Sequence, residues 1–439
     1  MTTAQLSVED MFVPGFDESS LPSDGSEPAL LREKRAAAFA KYSELPMPTV
    51  RDEEWRRTDP EMFPFDEFTP APALAPISVA PESGPWDNEF DVVVTVTDEG
   101  FHINDAANML AEKKLVVQSL ADAAVNYPEM LKRYMQGEAR VKQPRKFTTL
   151  VDAFWNFGLF IYVPAKTIIT RGVLIRYTHK TPGRVVIPYL VAVADELSEL
   201  TIAEQYESPD LVELLALSAR EFYAKQGAIL RAASLQEWGG KTYHIGEDWV
   251  RAERDARVDW VSFLLGGQLS KMMVSCDVAA PNSNAYLSGL FFADKEQHID
   301  QCSLQLHSSA NTYSNLLYKG AVKDKGHSIY QGVIDAVPHA VKVDAYQMNN
   351  NLILNEGARA DSLPGLEIDA DDLKCSHGAT CGNLDPNHLF YLRSRGLPEA
   401  EARQLLVMAF FEEVIARVPH EFMRERVREN VRHKVGVAV

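Results

Sequence analysis

Cysteine is scarce in this chain. Cys276, Cys302, Cys375 and Cys381 are the only thiols in 439 residues, too few to staple a fold of this length by disulfides. Long apolar runs are missing too. No stretch approaches the ~18 uninterrupted apolar residues of a membrane span. The opening segment, Met1 to Asp10, has no basic region leading into an apolar one, so no secretory signal is expected. Positive charge is in deficit: 44 lysines and arginines face 62 aspartates and glutamates, a formal net charge of −18. That balance argues against nucleic acid or an anionic membrane as the main partner and favours basic or neutral protein surfaces. The basic stretches that do occur, around Lys132 to Lys146 and Arg424 to Lys434, read as solvated faces and loops.

Nucleotide and hydrolase signatures are absent as well. Gly240-Lys241-Thr242 looks like the end of a phosphate loop, but Leu235 stands where that loop requires a glycine. There is no Gly-x-Ser-x-Gly, no His-Glu-x-x-His and no Gly-x-Gly-x-x-Gly. What remains is the composition of an ordinary globular protein, 46% hydrophobic and 24% charged, with a length that suggests two or three structural units. The expectation is a protein of a reducing compartment, cytoplasmic or organelle-stromal.

Ser26, Glu27 and Pro28 read as a helix start, with Leu31, Ala38, Tyr42 and Leu45 on one face and Pro46 and Pro48 ending it. A second short element holds Glu54 to Arg57. The prolines between Pro70 and Pro85 suggest an extended linker, Phe90 to Ile103 a strand or hairpin, and residues 105 to 157 a mainly helical stretch. From Phe160 the pattern becomes short apolar runs between turn signals at Pro281–Asn284, Asp294-Lys295, Ser308–Asn311, Lys323–Gly326 and Asn355–Gly357. That spacing predicts a β array. Periodicity leaves a sandwich, a jelly roll and a parallel β-helix all open, and no strict repeat decides among them. Leu211 to Lys225 reads as a helical excursion. Asp385, Pro386 and Gly396 frame a helix. A longer one runs from Pro398 to Val418, apolar all round between Leu405 and Phe411, so that it has two faces to bury. A last amphipathic helix aligns Met423, Val427 and Val431.

The chemistry-bearing cluster is Cys375, His377 and Cys381, a Cys-x-His-x-x-x-Cys in a short, turn-rich stretch. Thiolate and imidazole together suit iron or zinc. A structural zinc site needs four ligands, and His388 is the only nearby candidate for the fourth. Buried cysteines beside a capping histidine are the alternative. His298, His307, His327 and His339 read as hydrogen-bonded strand histidines. Asp300, His307 and Asp344 are the residues an acid–base pair would draw on.

A set of ordered landmarks adds to this. Arg251-Ala-Glu-Arg-Asp-Ala-Arg-Val-Asp-Trp260, Gln297-His-Ile-Asp300, Tyr318-Lys-Gly320 and Gly326-His-Ser-Ile-Tyr-Gln-Gly-Val-Ile334 come first. Leu352-Ile-Leu-Asn-Glu-Gly-Ala358, Leu363 to Thr380 and Phe390-Tyr-Leu-Arg-Ser-Arg-Gly396 follow. Upstream stand Leu45-Pro46, Glu54-Trp-Arg-Arg-Thr58 and Phe160-Ile-Tyr-Val-Pro164. Together they resemble the SufB/SufD family of iron–sulfur cluster assembly proteins.

The resemblance implies a mainly β fold: a right-handed parallel β-helix core over 158–384, flanked by α-helical regions at 1–157 and 385–439. It implies a scaffold without enzymatic activity of its own, working in a complex with a SufC-like ATPase and a SufB-like paralogue. The C-terminal helices would bind the ATPase, with Leu405, Phe410 and Phe411 as contact candidates. The β-helices would pair, and a transient iron–sulfur cluster or iron would sit at their junction, none being permanently bound. Ala358 stands where SufB carries its cluster-forming cysteine, and Ser376-His377-Gly378 where SufB has Glu-His-Glu. Both differences resemble the SufD branch, although Pro419-His-Glu-Phe422 is more similar to the SufB ending. His377 is then the ligand or proton carrier carried over, Cys375 a second metal candidate, and Cys381 has no family role. Two alternatives stay open: a self-sufficient SufB-like homodimer using Cys375, His377 and Cys381, and a β-helix carbohydrate-active enzyme.

Overall fold

The computed structural model describes residues 12–22, 27–141 and 145–436. From Phe157 to Gly382 the strands alternate between two facing sheets, one strand of each sheet per turn, in a solenoid of about 8 turns. Every long strand pairs in parallel with the strand two places on. The register holds from turn to turn. In the second sheet Ile202, Ala232, Trp260, Leu287 and Leu316 stack in one inward row. Such rows, built from both sheets, form the main core.

One corner of the solenoid explains why no sequence repeat is visible. Lys166, Leu197, Gly227, Asp255, Asn282, Asn311 and Lys342 all take positive φ. At this corner the backbone N–H of each bonds a carbonyl of the following turn, as from Leu197 to Gln226 and from Gly227 to Arg254. What recurs is a left-handed backbone conformation, once per turn, met by five residue types.

The outer faces are clad separately. Helix Ala29–Glu44 and the helices between Leu120 and Phe154 cover the early part of the first sheet. The N-terminal helix follows Pro28 with no side-chain cap; Ser26, the expected cap, lies outside the described residues. Leu31, Ala38 and Tyr42 are buried, as their spacing predicts. Helices Glu399–Ile415 and Glu421–Val435 lie on the outer face of the second sheet. Asp385 accepts from the Asn387 N–H at the start of helix Pro386–Ser394, and Gly396 closes it at φ 95°. Among the described residues no helix is long and apolar enough to cross a membrane.

Two expectations are corrected. Leu214–Ala224 is a fully buried strand, not a helix. Its inner face meets the opposite sheet and its outer face meets the N-terminal helices, so it lacks the alternation that marks a one-sided strand. The stretch 105–157 also contains a strand, Val116–Ser119, which pairs antiparallel with Phe157–Val163.

The interior is not uniformly apolar. Arg220 donates Nε and Nη2 to the Asp248 carboxylate at 2.6 Å each and Nη1 to Glu204 at 2.5 Å. All three side chains are 3% exposed or less. Burial pushes the Asp248 carboxyl up to about 6, against the pull of Arg220.

Candidate functional site at the open end of the solenoid

The last turn is built from Arg359–Ile368 and Lys374–Gly382, and it differs from every turn before it. Strands earlier in the solenoid are largely buried, whereas these two have no buried residue. Among the described residues, neither the N-terminal nor the C-terminal helices pack across them.

Strand register places the candidate residues here. The inward row Leu287, Leu316 continues to Gln347 and ends at His377. The row through Ala285 and Ser314 continues to Ala345 and ends at Cys375. That through Phe291 and Gly320 continues to Asn351 and ends at Cys381. The core therefore changes character as it approaches the open end: aliphatic and aromatic rows give way to Gln347, Asn349 and Asn351, and then to thiols and an imidazole. Gln347, Asn349 and Asn351 are buried. Gln347 Nε2 donates to the Tyr330 hydroxyl, and Ser362 Oγ donates to Asn349 Oδ1 at 2.7 Å. Gln347 Oε1 and Asn351 Oδ1 are buried with no partner among the described residues, so this layer carries unspent hydrogen-bonding capacity directly beneath the last turn.

The strand also corrects the expectation of three clustered ligands in a turn-rich stretch. Cys375, His377 and Cys381 share one face, but Cys375 and His377 are two residues apart and Cys381 is four beyond His377. At ~3.3 Å per residue that puts Cys381 about 13 Å further along, out of reach of an ion held by the other two. No group of three His, Cys, Asp or Glu that could hold a metal occurs among the described residues. His388, the suggested fourth ligand, is exposed on the next helix and faces Asp385 at 3.8 Å.

His377 is exposed and has no hydrogen-bond partner among the described residues. Cys375 is half-buried beside Val343 and Ala345, and desolvation, with Asp344 nearby, pushes its thiol up to about 11. Such a thiol stays protonated until a metal or a positive charge draws the proton away. Cys381 is exposed, its Sγ 3.7 Å from the Ala360 carbonyl. Cys276 is buried, with its thiol raised by desolvation, and Cys302 is pushed up to about 12 for the same reason.

The strand histidines are satisfied, as expected. His307 bonds Thr312 and Ser314 at 2.7 and 2.8 Å, and His327 bonds Asp361 at 2.9 Å. His339 Nε2 lies 3.1 Å from the Ser308 carbonyl. His298 and Asp300 both bond the Thr58 hydroxyl, and Lys271 bridges Asp300 and the Glu54 carbonyl at 2.6 Å each. The landmark Glu54–Thr58 is thus a clamp that fastens the N-terminal segment to the solenoid wall. Asp300, His307 and Asp344 do not come together. Asp300 points outward and His307 inward from the same strand, because their positions differ in parity, and Asp344 lies at the exposed start of another strand.

The C-terminal contact candidates divide. Phe411 is fully buried against the second sheet, 6.3 Å from Phe292 between ring centroids, so its side chain belongs to this chain's own core. Phe410 is half-buried under the Lys319 ammonium. Leu405 is 49% exposed, and Phe390 and Tyr391, which sequence reasoning left out as contacts, are 74% and 55% exposed.

The chain matches two family models. The model for the SufBD core domain of SUF system FeS cluster assembly covers residues 177–410, and that for the SufBD protein N-terminal region covers residues 7–175. An iron–sulfur cluster assembly SufBD family protein of Mycobacterium tuberculosis is 31% identical over 309 residues, 69% of this chain and 77% of that protein. The iron–sulfur cluster assembly protein SufD of Escherichia coli is 28% identical over 396 residues, 87% of this chain and 88% of its own length. SufD of Bacillus subtilis is 25% identical over 449 residues, covering 98% and 99%. The solenoid with its two helical flanks, matched along nearly its whole length, makes this chain a member of the SufBD family of iron–sulfur cluster assembly proteins.

Proposed function

We propose that this chain is a cytoplasmic, SufD-like scaffold subunit that presents half of a cluster-building site at the open end of its solenoid. The observation that carries the reading is the uncovered last turn, where three inward rows end in Cys375, His377 and Cys381. One chain supplies too few adjacent ligands to enclose iron, so a SufB-like paralogue docked against this end completes the set. His377 is the first donor: its exposed imidazole can bind iron, or pass a proton to or from sulfide, without leaving the strand. Cys375 is the second, once iron has displaced its proton. Iron and the nascent cluster are cargo. The exposed apolar side chains Phe390, Tyr391 and Leu405 form the docking surface for a SufC-like ATPase, which supplies the energy that the scaffold lacks.

Two experiments test this. Co-expressed with a SufB-like paralogue and a SufC-like ATPase, His377→Ala should co-purify normally but carry at least about tenfold less iron and acid-labile sulfide, the loss of one of few ligands. Wild-type loading would remove His377 from the site, and stoichiometric cluster on the isolated wild-type chain would favour a self-sufficient homodimer instead. Separately, Phe390→Asp with Leu405→Asp should abolish ATPase co-purification while the melting temperature stays near wild type, because both positions are solvent-facing. Retained binding would move the ATPase elsewhere.

A further inference from the structure

A cavity of about 460 Å³ lies on the outer face of the second sheet, where the segment after helix Glu399–Ile415 passes over it. The in-register stacking of the solenoid creates it. Ala233, Val261 and Ser288 are neighbours in one outward row, and Arg231, Asp259 and Tyr286 are neighbours in the next. One row is short and the other long, so a hollow opens above small side chains and is walled by large ones.

The wall is rich in guanidinium. Arg257 lies over the Tyr286 ring, 4.7 Å from its centroid, and donates Nε and Nη2 to Asp259. Arg231 donates Nη1 to Glu199 at 3.1 Å. From the C-terminal side, Arg417 donates Nη1 to Ser288 Oγ at 2.9 Å. Three arginines and one carboxylate, Asp259, thus line the cavity, while Glu199 at 3.1 Å from Arg231 and Glu413 at 3.9 Å from Arg417 stand outside the lining. Each guanidinium has about five donors, more than these contacts use.

We propose that this cavity binds a small organic anion with a flat apolar body. Arg231, Arg257 and Arg417 take the charge, since the guanidinium fork matches carboxylate and phosphate oxygens. Ala233 and Val261 form an apolar floor for the body, beside the Tyr286 ring. The volume is that of a small-molecule site. Arg417 belongs to the C-terminal segment and the other groups to the solenoid, so a bound anion ties the two together. This site is on the clad face of the molecule and owes nothing to the open end.

Phenyl phosphate is the probe, titrated by calorimetry into the full chain, with inorganic phosphate and phenol as comparators. One phenyl phosphate should bind per chain, more weakly as salt is raised. Arg417→Gln and Arg257→Gln, checked for folding by thermal melting, should each weaken it about tenfold, as loss of a charged hydrogen bond does. Inorganic phosphate and phenol should each bind at least about tenfold more weakly, because each lacks half of the recognition. The proposal is overturned if phenyl phosphate does not saturate. It is equally overturned if both folded variants bind like wild type, or if inorganic phosphate binds as tightly as phenyl phosphate.

Discussion

Arg220→Ala should destabilise the solenoid by about 3–5 kcal/mol, the cost of stripping the partner from buried charges. The reason lies in what stays behind. Asp248 and Glu204 share this one guanidinium, and both are sealed between the sheets. Without it two carboxylates face each other with no water to screen them. The Tyr206 hydroxyl, which donates to Glu204 at 2.7 Å, replaces only a fraction of the loss. Urea unfolding followed by circular dichroism measures the effect. The triple variant Arg220→Met, Asp248→Asn, Glu204→Gln should regain most of it, because buried amides without charge cost less than buried ions without a partner. A loss below about 1 kcal/mol in the single variant would mean that water already reaches the cluster.

Mild acid should also be strongly destabilising. Desolvation holds His244 down to about 3, and His298 and His307 down to about 4. The unfolded chain takes up protons near pH 6.5 that these imidazoles refuse in the folded state. Their contribution is therefore complete above pH 6.5 and is lost as the pH falls toward 4. At pH 5 each costs about 2 kcal/mol relative to neutral pH. Asp248, raised to about 6, works in the opposite sense, gaining a proton more readily when folded. These three imidazoles and Asp248 together give a loss on the order of 4 kcal/mol between pH 7 and 5, to which His420, also held down to about 4 by burial, adds in the same sense. A melting temperature that stays flat across that interval would sink this account, and His307→Gln should shallow the slope.

The sequence was unequally informative, for physical reasons. Turn signals at Asp294-Lys295 and Lys323–Gly326 mark real corners, because turns are local. The solenoid itself is not local: its repeat is a backbone conformation at one corner, and Lys, Leu, Gly, Asp and Asn all satisfy it. The landmarks from Glu54 to Gly396 therefore carried the fold expectation where periodicity could not. Leu214–Ala224 looked helical because cladding on both sides erased its alternation. At the candidate site, the odd numbering of Cys375, His377 and Cys381 would have put them on one strand face had the stretch been read as a strand. Gln347, Asn349 and Asn351, the polar layer beneath, were missed. Asparagines in succession are unusual for a strand, and that oddity was the available signal. Phe411, expected at a partner contact, is buried against the second sheet instead, since a helix that is apolar all round does not reveal which face meets its own sheet.

The uncovered last turn also bears on how the protein is made and kept. Arg359–Ile368 and Lys374–Gly382 each pair on one side only. Their other sides offer two long ladders of unsatisfied backbone donors and acceptors, a template for any passing strand. Left uncovered, the two ladders would make the chain prone to stick to its own copies. If the proposed pairing holds, the partner that completes the site would also cover these edges, and balanced production of the two chains would follow as a requirement of the fold.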